Sequence, residues 1–298
     1  MAPKAELREF LKSRRDRLRP EDVGLPSGGQ RRVPGLRREE LAMLAGVSVD
    51  YYVRLEQGRD LTPSEPVLDA LARALRLDDT ERAHLIALAR PARIPFATPD
   101  AGAPTEVRPS VQMLIDGLDQ PAFVLGRRMD ILATNRMARA LLTDFDARPP
   151  RERNHARWIF LDPATRELYL DWPVVARENV AILRHDAGQH PDDPQLRELI
   201  GELSMASPEF RTWWAEHDVA TRNSGTKRYR HPVVGEMKIH FEAMRLADED
   251  QLLFIYSVAP GTPSHDAMRL LATWAATQDA EAAHPSTHDV DDRASPMA

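Results

Sequence analysis

The sequence has no cysteine among its 298 residues, which excludes disulfide bonds and zinc sites built on thiolate ligands. It also has no uncharged stretch that approaches the roughly 18 residues needed to span a membrane as a helix. The N-terminus is charged from Lys4 onward and lacks the apolar core of a secretory signal. Together these absences predict a cytoplasmic protein that does not enter a membrane.

Signatures of several enzyme classes are absent as well. There is no G-x-S-x-G nucleophile motif, and no G-K-[ST] follows the glycines that precede Arg31, which excludes a phosphate-binding loop. His185 and His190 are five residues apart, whereas two metal ligands on one helical face are roughly three or four apart. We therefore predict no catalytic residues, no metal site and no cofactor. We expect His217 and Asp218 to form a buried polar bridge.

The charge of the chain is unevenly distributed, although the formal net charge is −6. Residues 1–98 contain 18 basic and 15 acidic residues, whereas the other 200 residues contain 22 basic and 31 acidic ones. Within residues 8–38 there are ten basic and four acidic residues. Such a concentration of positive charge is typical of a surface that contacts nucleic-acid phosphates, and a solvated surface is the alternative.

The stretch from Arg37 to Gly58, R-R-E-E-L-A-M-L-A-G-V-S-V-D-Y-Y-V-R-L-E-Q-G, predicts two short helices joined by a tight turn. Gly46 ends the first helix, because glycine adopts positive φ without steric cost. Ser48 can cap the second helix by accepting a backbone N–H. Tyr52 and Leu55 lie three residues apart and share the inner face, so that the opposite face protrudes and can enter a DNA major groove.

This stretch resembles the helix-turn-helix of the xenobiotic-response-element family of repressors. The matching residues are Leu41, Ala42, Gly46, Val47, Ser48, Leu55, Glu56 and Gly58. The resemblance implies an all-α bundle of five helices in about 90 residues. It also implies an ion pair between Glu56 and an arginine of the first helix, here Arg14 or Arg15. The alternative is an ordinary helical hairpin within a larger core.

If this helix pair reads duplex DNA, Val49, Asp50 and Arg54 face the base edges, and Arg54 is suited to bind guanine through O6 and N7. Asp50 cannot hold a phosphate, so we expect it to accept from a cytosine amino group or to reject incorrect sequences. The other candidates contact the DNA backbone or the minor groove. We expect Arg37, Tyr51 and Arg59 to contact phosphates, and Arg31 and Arg32 to reach the backbone or the minor groove from the preceding loop. Arg38 lies where the family places a contact from the start of the first helix of the pair.

The C-terminal part resembles a PAS domain in the order of its predicted elements. Two early strands are predicted, and Asn135 takes the place of the asparagine that caps the following helix in PAS domains. Central helices and three late antiparallel strands follow. The predicted strands are residues 122–125, 130–134, 227–231, 236–243 and 252–259, and the predicted helices are residues 107–118, 135–142, 174–184, 196–204, 208–216 and 268–274.

Several motifs resemble, in order, the ligand-binding domain of MmyB-like regulators: D-W-P-V-V-A-R, L-I-G-E-L-S, S-P-E-F-R, W-W-A-E-H-D-V and H-P-V-V-G. With the helix-turn-helix, this resemblance covers nearly the whole chain and implies a transcription regulator with a PAS-like sensor for a small apolar ligand such as a fatty acid. We expect a pocket between the sheet and the tryptophan-bearing helices, with Arg177, Arg184 and His185 as polar anchors. The alternative is a ligand-free protein-interaction module.

The sequence therefore predicts a multidomain α + α/β protein. It combines an all-α five-helix repressor-like bundle with a C-terminal α+β PAS-like domain that has an antiparallel sheet. The predicted units are a DNA-binding domain at residues 1–90, a proline-rich linker at 91–106, a ligand-binding or dimerisation domain at 107–275 and a disordered tail at 276–298. The expected partners are double-stranded DNA and a second copy of the chain in a homodimer. His84 is expected at the bundle surface without a role.

Overall fold

The computed structural model describes residues 3–26, 35–59, 63–90, 106–219, 224–246 and 250–283. Within these residues the chain forms an N-terminal helical part and a C-terminal part built on one β-sheet. Arg31 and Arg32 lie outside the described residues, as do most of the predicted linker and the last residues of the predicted tail. No helix of the described part is long and apolar enough to cross a membrane.

The described N-terminal part contains five α-helices, which confirms the predicted all-α bundle. They are α1 (Pro3–Arg17), α2 (Arg38–Ala45), α3 (Val49–Glu56), α4 (Glu65–Ala74) and α5 (Asp79–Ala89). Leu7, Phe10 and Leu11 recur at helical spacing on α1 and are buried. They share one apolar core with residues of the other four helices, including Leu41 and Leu68. The core fixes α2 and α3 relative to each other.

The C-terminal part is an antiparallel sheet with helices on both faces. Its elements are α6 (Pro109–Asp116), β1 (Ala122–Leu125), β2 (Ile131–Thr134), α7 (Arg136–Leu141), α8 (His155–Leu161), α9 (Ala164–Leu168), α10 (Trp172–Gln189), α11 (Pro194–Ala206), α12 (Pro208–Ala215), β3 (Ser224–His231), β4 (Gly235–Arg245), β5 (Leu252–Ser257) and α13 (Pro263–Ala283). The strand order is β2-β1-β5-β4-β3, and all neighbouring strands are antiparallel. The predicted α+β class with an antiparallel sheet is confirmed.

The two faces of the sheet have different coverings. Along β4, Met237, Ile239 and Phe241 alternate with exposed residues and join the main core, as the two-residue period of a strand requires. The opposite face packs on α6 through Val111 and Ile115. The main core therefore lies between the sheet and the central helices.

Asn135 connects the first two strands to the neighbouring helices, and its side chain is buried. Its Oδ1 accepts from the backbone N–H of Ala138 at 2.9 Å and of Ala122 at 3.0 Å. Its Nδ2 donates to the carbonyl oxygens of Gln120 at 2.8 Å and Ile115 at 3.1 Å. The first of these bonds confirms the predicted helix cap.

Three helices are longer than predicted, and α11 (Pro194–Ala206) extends beyond the predicted residues 196–204 at both ends. Helix α10 runs from Trp172 to Gln189 rather than over residues 174–184. Helix α13 continues to Ala283, past the predicted boundary at residue 275. It leaves the core after Ala275, so its apolar periodicity ends there although alanine, glutamate and glutamine continue to favour a helix.

The expectation that His84 lies at the bundle surface is wrong. Helix α10 packs against α5, and the side chain of His84 is only 3% exposed. His84 lies in the contact between the N-terminal bundle and the C-terminal part. A sequence pattern within one helix does not reveal that a second domain covers it.

Candidate nucleic-acid interface

The turn between α2 and α3 is built from the residues that the sequence indicates. Gly46 has φ +67° at the end of α2, in the left-handed region that favours glycine. Ser48 Oγ accepts from the backbone N–H of Tyr51 at 3.1 Å and so caps α3. Ala42 is fully buried, which allows the two helices to approach closely. These features set the angle at which α3 leaves the bundle.

Helix α3 has one buried face and one exposed face. Tyr52 and Leu55 are buried in the bundle core. The side chains of Asp50 and Arg54 are 81% and 48% exposed, and Val49 is also exposed. Arg54 Nε lies 3.3 Å from Asp50 Oδ2, one helical turn earlier. The structure therefore presents the three predicted base-reading residues together on an open surface.

The inner end of α3 is held by a buried charge cluster around Glu56, which is 2% exposed. Arg15 donates to Glu56 through Nε at 3.3 Å and Nη2 at 3.4 Å, and Arg38 donates through Nε at 3.0 Å and Nη2 at 2.8 Å. Burial alone would raise the pKa of the Glu56 carboxyl, but the hydrogen bond from Arg38 and the charge of Arg15 outweigh burial and lower the pKa.

Of the two predicted partners of Glu56, the structure selects Arg15. Its guanidinium also donates through Nη1 to the carbonyl of Leu36 at 2.6 Å. Arg14 is not a partner of Glu56, because its side chain turns towards α5 and its Nε lies 2.9 Å from Glu81. The two adjacent arginines thus leave α1 in different directions.

The predicted phosphate-contacting residues lie around the two ends of the helix pair. Arg37 lies 3.4 Å from Glu39 at the start of α2, and Tyr51 is half-buried on α3. Arg38 is half-exposed although it is bound to Glu56. Arg59 is exposed after the end of α3.

A shallow basic cavity of about 470 Å³ adjoins this surface, and it is lined by Arg8, Lys12, Arg38, Glu56, Gln57 and Arg59. Arg8 and Lys12 are not among the predicted DNA-contacting residues. Their spacing of four residues on the polar face of α1 was the available signal.

The three predicted ligand anchors lie elsewhere. Arg177 forms an exposed ion pair with Glu216 at 2.5 Å and covers the ring of Trp213. Arg184 and His185 face the N-terminal bundle: Arg184 Nη1 lies 3.0 Å from His217 Nδ1, and the ring of His185 lies 6.3 Å from that of His84. None of the three lines the interior cavity described next.

A small cavity of about 20 Å³ lies between the sheet and α10. Its lining residues are Phe123, Leu125, Met129, His155, Glu178, Asn179, Ile182, Lys227, Phe241, Phe254 and Tyr256. His155 Nδ1 is 2.8 Å from Asn179 Oδ1, whereas His155 Nε2 is buried without a hydrogen-bond partner. Burial lowers the pKa of His155 to about 3, so the ring is neutral. The ammonium of Lys227 lies 4.8 Å from the centre of the Phe241 ring.

These polar groups come from distant parts of the sequence, and no spacing rule connects them. Among the described residues, no three histidine or carboxylate side chains are grouped so that they could hold a metal ion. The described residues thus offer an exposed reading face on α3 and a nearly filled cavity between the sheet and α10. Two open pockets lie outside that cavity, one of about 560 Å³ lined by residues including Arg128 and Glu198, and one of about 210 Å³ lined by residues including Ala187 and Trp214.

Comparison with known families agrees with this architecture. The family model for the MmyB-like transcription regulator ligand binding domain matches residues 107–271, and a helix-turn-helix domain model matches residues 6–85. A search of curated proteins gave no match. The second match covers the bundle that carries α2 and α3, and the first covers the sheet with its helices. The chain therefore belongs to the MmyB-like transcription regulators, which makes it a DNA-binding regulator with a helix-turn-helix domain.

Proposed function

We propose that the outer face of α3 reads a specific DNA sequence through the major groove, with Val49, Asp50 and Arg54 on base edges. The observation that carries this proposal is the joint exposure of the three side chains on a helix whose opposite face is buried. Arg54 would bind guanine through O6 and N7. Asp50, 3.3 Å from Arg54 Nε, would hold the guanidinium in place for this contact.

The basic and polar side chains around the reading face would contact the phosphate backbone. Arg37, Tyr51 and Arg59 are proposed phosphate contacts, and Arg38 would contribute the part of its guanidinium that Glu56 does not occupy. Arg8 and Lys12 extend this basic surface along α1. Arg31 and Arg32, which lie outside the described residues, stay proposed contacts from the preceding loop.

Selection from a random oligonucleotide pool, followed by substitution of Arg54, tests the reading face. Arg54→Ala should weaken binding to the selected site by about 1–3 kcal/mol and relax one base position. Arg73→Ala is the matched control, because Arg73 is an exposed arginine on α4, away from the reading face. Equal loss on all sequences would make Arg54 a phosphate contact, and failure to enrich any sequence would contradict the proposal.

For the C-terminal domain we propose a small apolar ligand with an acidic head, such as a fatty acid, in the cavity beside α10. The support is the partly buried Lys227 ammonium and the unpartnered Nε2 of His155, and the lining also contains Glu178 and Asn179 among apolar side chains. The cavity of about 20 Å³ holds about one water molecule, so a ligand would have to displace side chains. A ligand-free interaction module is the alternative, and the nearly filled interior favours it.

Native mass spectrometry and thermal shift with fatty acids distinguish these two possibilities. A ligand should raise the melting temperature of the wild-type protein, because binding to the folded state alone stabilises it. Lys227→Met should remove most of that shift, whereas Lys238→Met, a substitution at an exposed lysine on β4, should keep it. The absence of any co-purifying molecule together with the absence of any shift would favour the interaction module.

We also propose that the regulator binds as a homodimer, through its C-terminal domain, to two half-sites about one DNA turn apart, roughly 34–36 Å. Light scattering would give the mass of the protein in solution. Footprinting would show whether protection covers two related half-sites.

A further inference from the structure

The bundle and the C-terminal part meet at a surface that we call the docking face. It consists of Arg14 on α1, His84 on α5, Arg184 and His185 on α10, and His217 after α12. All except His185 are less than one tenth exposed. The outer face of α3 takes no part in this contact, so the docking face positions the reading helix without covering it.

His84 packs directly on the backbone of α10. Its ring contacts Phe10 edge-on, with 5.1 Å between ring centres. A Cβ built on Gly188 would lie 2.5 Å from His84 Nδ1 and closer still to Cε1. Only a glycine at position 188 therefore permits this approach, and the contact depends on the docked position of the bundle.

His217 is held in a neutral state by its partner. Its Nδ1 lies 3.0 Å from Arg184 Nη1, and a guanidinium can only donate hydrogen bonds. Nδ1 must therefore accept, which places the proton of the neutral ring on Nε2. Arg184 also donates to the carbonyl of Trp214, and Arg14 donates to the carbonyl of His217. A proton on His217 Nδ1 would point towards the Nη1–H of Arg184, and two donors cannot form a hydrogen bond.

The charged groups around the three histidines do not favour additional positive charge. On the bundle side Arg14 lies 2.9 Å from Glu81, and Arg17 lies 3.1 Å from Asp218 of the C-terminal part. Among the described residues, no carboxylate lies within ion-pair distance of the docking-face histidines. The groups that act on the docking face are Glu6, Arg14, Arg17, Glu81 and His84 from the bundle, and Arg184, His185, His190, Asp218 and Arg245 from the C-terminal part.

We propose that the docking face is a pH-sensitive contact: the bundle docks on α10 while these histidines are neutral, and their protonation releases it. The release would free the reading helix from its fixed position relative to the sensor domain. Helix α10 also lines the interior cavity through Asn179 and Ile182, so one helix adjoins both the proposed ligand and the bundle.

The direction of the pH effect follows from the pKa values. Burial first, and then the neighbouring charges, lower the pKa of His84 and of His217 to about 3 and lower the pKa of His185. Release relieves burial, so the pKa of His84 returns towards about 6.5, whereas Arg184 stays beside His217 and Arg245 and His190 stay beside His185, so those two pKa values rise by less. Protons therefore bind the released state preferentially, and docking weakens as the pH falls below about 6.5, by about tenfold for His84 between pH 7.5 and 5.5.

Glu6 acts in the opposite direction. Burial raises the pKa of its carboxyl above the ordinary 4.5, so acid favours the docked state there. Glu6 is one group against three histidines, so release on acidification is the expected net result.

Energy transfer between two dyes measures docking directly, because the chain has no cysteine and accepts two introduced ones. Glu65→Cys labels the bundle and Met205→Cys labels α11, both at exposed positions. Excess unlabelled protein restricts the signal to transfer within one chain. Transfer should fall between pH 7.5 and 5.5 while circular dichroism stays constant. Constant transfer, or a loss of helix in the same pH range, would overturn the proposal.

Two substitutions separate the docking contact from general effects of acid. Gly188→Ala should abolish docking even at pH 7.5, because the added methyl group would clash with the ring of His84. Alanine favours a helix more than glycine does, so α10 itself should stay intact. Gly201→Ala is the control, because a Cβ there meets nothing within 4 Å. Wild-type transfer in Gly188→Ala would overturn the proposed contact.

His217→Asn keeps an acceptor for Arg184 but cannot be protonated, and asparagine tolerates the φ of +56° at this position. This variant should dock at pH 7.5 and lose less docking on acidification than wild type. A full wild-type pH response in His217→Asn, or no docking at pH 7.5, would overturn the role of His217.

Discussion

Two buried groups of charged and titratable side chains in this molecule are built on different principles. In the bundle, Arg15 and Arg38 converge on one carboxylate, Glu56. At the docking face, Arg14 and Arg184 lie next to histidines instead. In the first group two arginines share one carboxylate, whereas in the second Arg14 pairs with Glu81 but Arg184 has a histidine ring as its partner, which must stay neutral.

Because of this difference, we expect the Glu56 cluster to persist whenever the bundle is folded and the docking contact to depend on pH. The Glu56 cluster links α1, α2 and α3, so the reading helix keeps its place in the bundle whenever the bundle is folded. The docking face joins two parts with separate apolar cores, and Val219 of the C-terminal part is buried in the core of the bundle. Its loss therefore need not unfold either part. The following predictions test this contrast, from the largest expected effect to the smallest.

Removal of the countercharge should have the largest effect. Glu56→Gln removes the buried countercharge of Arg15 and leaves only the partly exposed Asp16, 3.2 Å from Arg15 Nη1, which should lower the free energy of unfolding by about 3 kcal/mol. Denaturant unfolding measures this change. The exposed Glu39, whose side chain is 63% exposed, provides the control Glu39→Gln, which should change stability by less than about 0.5 kcal/mol. Equal effects would contradict the structural role of Glu56.

The two groups should respond to acid in separate pH ranges. The lowered pKa of Glu56 means that its contribution is present above about pH 4.3 and is lost as the pH falls further. Docking should already weaken below about pH 6.5. All five tryptophans lie in the C-terminal part, and Arg184 covers Trp214, so tryptophan fluorescence should change near pH 6. Far-UV circular dichroism should change only below pH 4.3. Coincident transitions would contradict this separation.

The smallest effect is expected for Arg177, which lies on α10 two turns before Arg184. Its ion pair with Glu216 is about half-exposed, so Arg177→Ala should change the free energy of unfolding by about 0.5 kcal/mol. It should leave docking unchanged at pH 7.5. A loss of docking in this variant would show that the contact extends further along α10 than the described geometry indicates.

Much of the fold was predictable because its signals are local. Gly46, Ser48 and Asn135 each act on backbone groups a few residues away, so their positions in the sequence indicate their roles. The alternation in β4 likewise marks one buried face. The helix bounds were less predictable, because α10 and α13 continue beyond the residues whose apolar periodicity indicates a helix.

The polar sites were predicted less well. Arg14 and Arg15 are adjacent and chemically identical, and only the packing of α1 on α5 turns one towards Glu81 and the other towards Glu56. Arg184, expected in a ligand pocket, lies against the bundle, because the side of α10 that carries it is covered by the other domain.

The sequence by itself determined the helix-turn-helix, the succession of strands and helices along the chain and the side of α3 that faces outward. These follow from residue types at fixed spacing, which act over one or two turns of a helix or along one strand. Only the tertiary structure decided which arginines pair with carboxylates and that the ring of His84 packs against Gly188. Such contacts join residues from 18 to 201 positions apart, where spacing carries no information and the packing of helices and domains sets the distance.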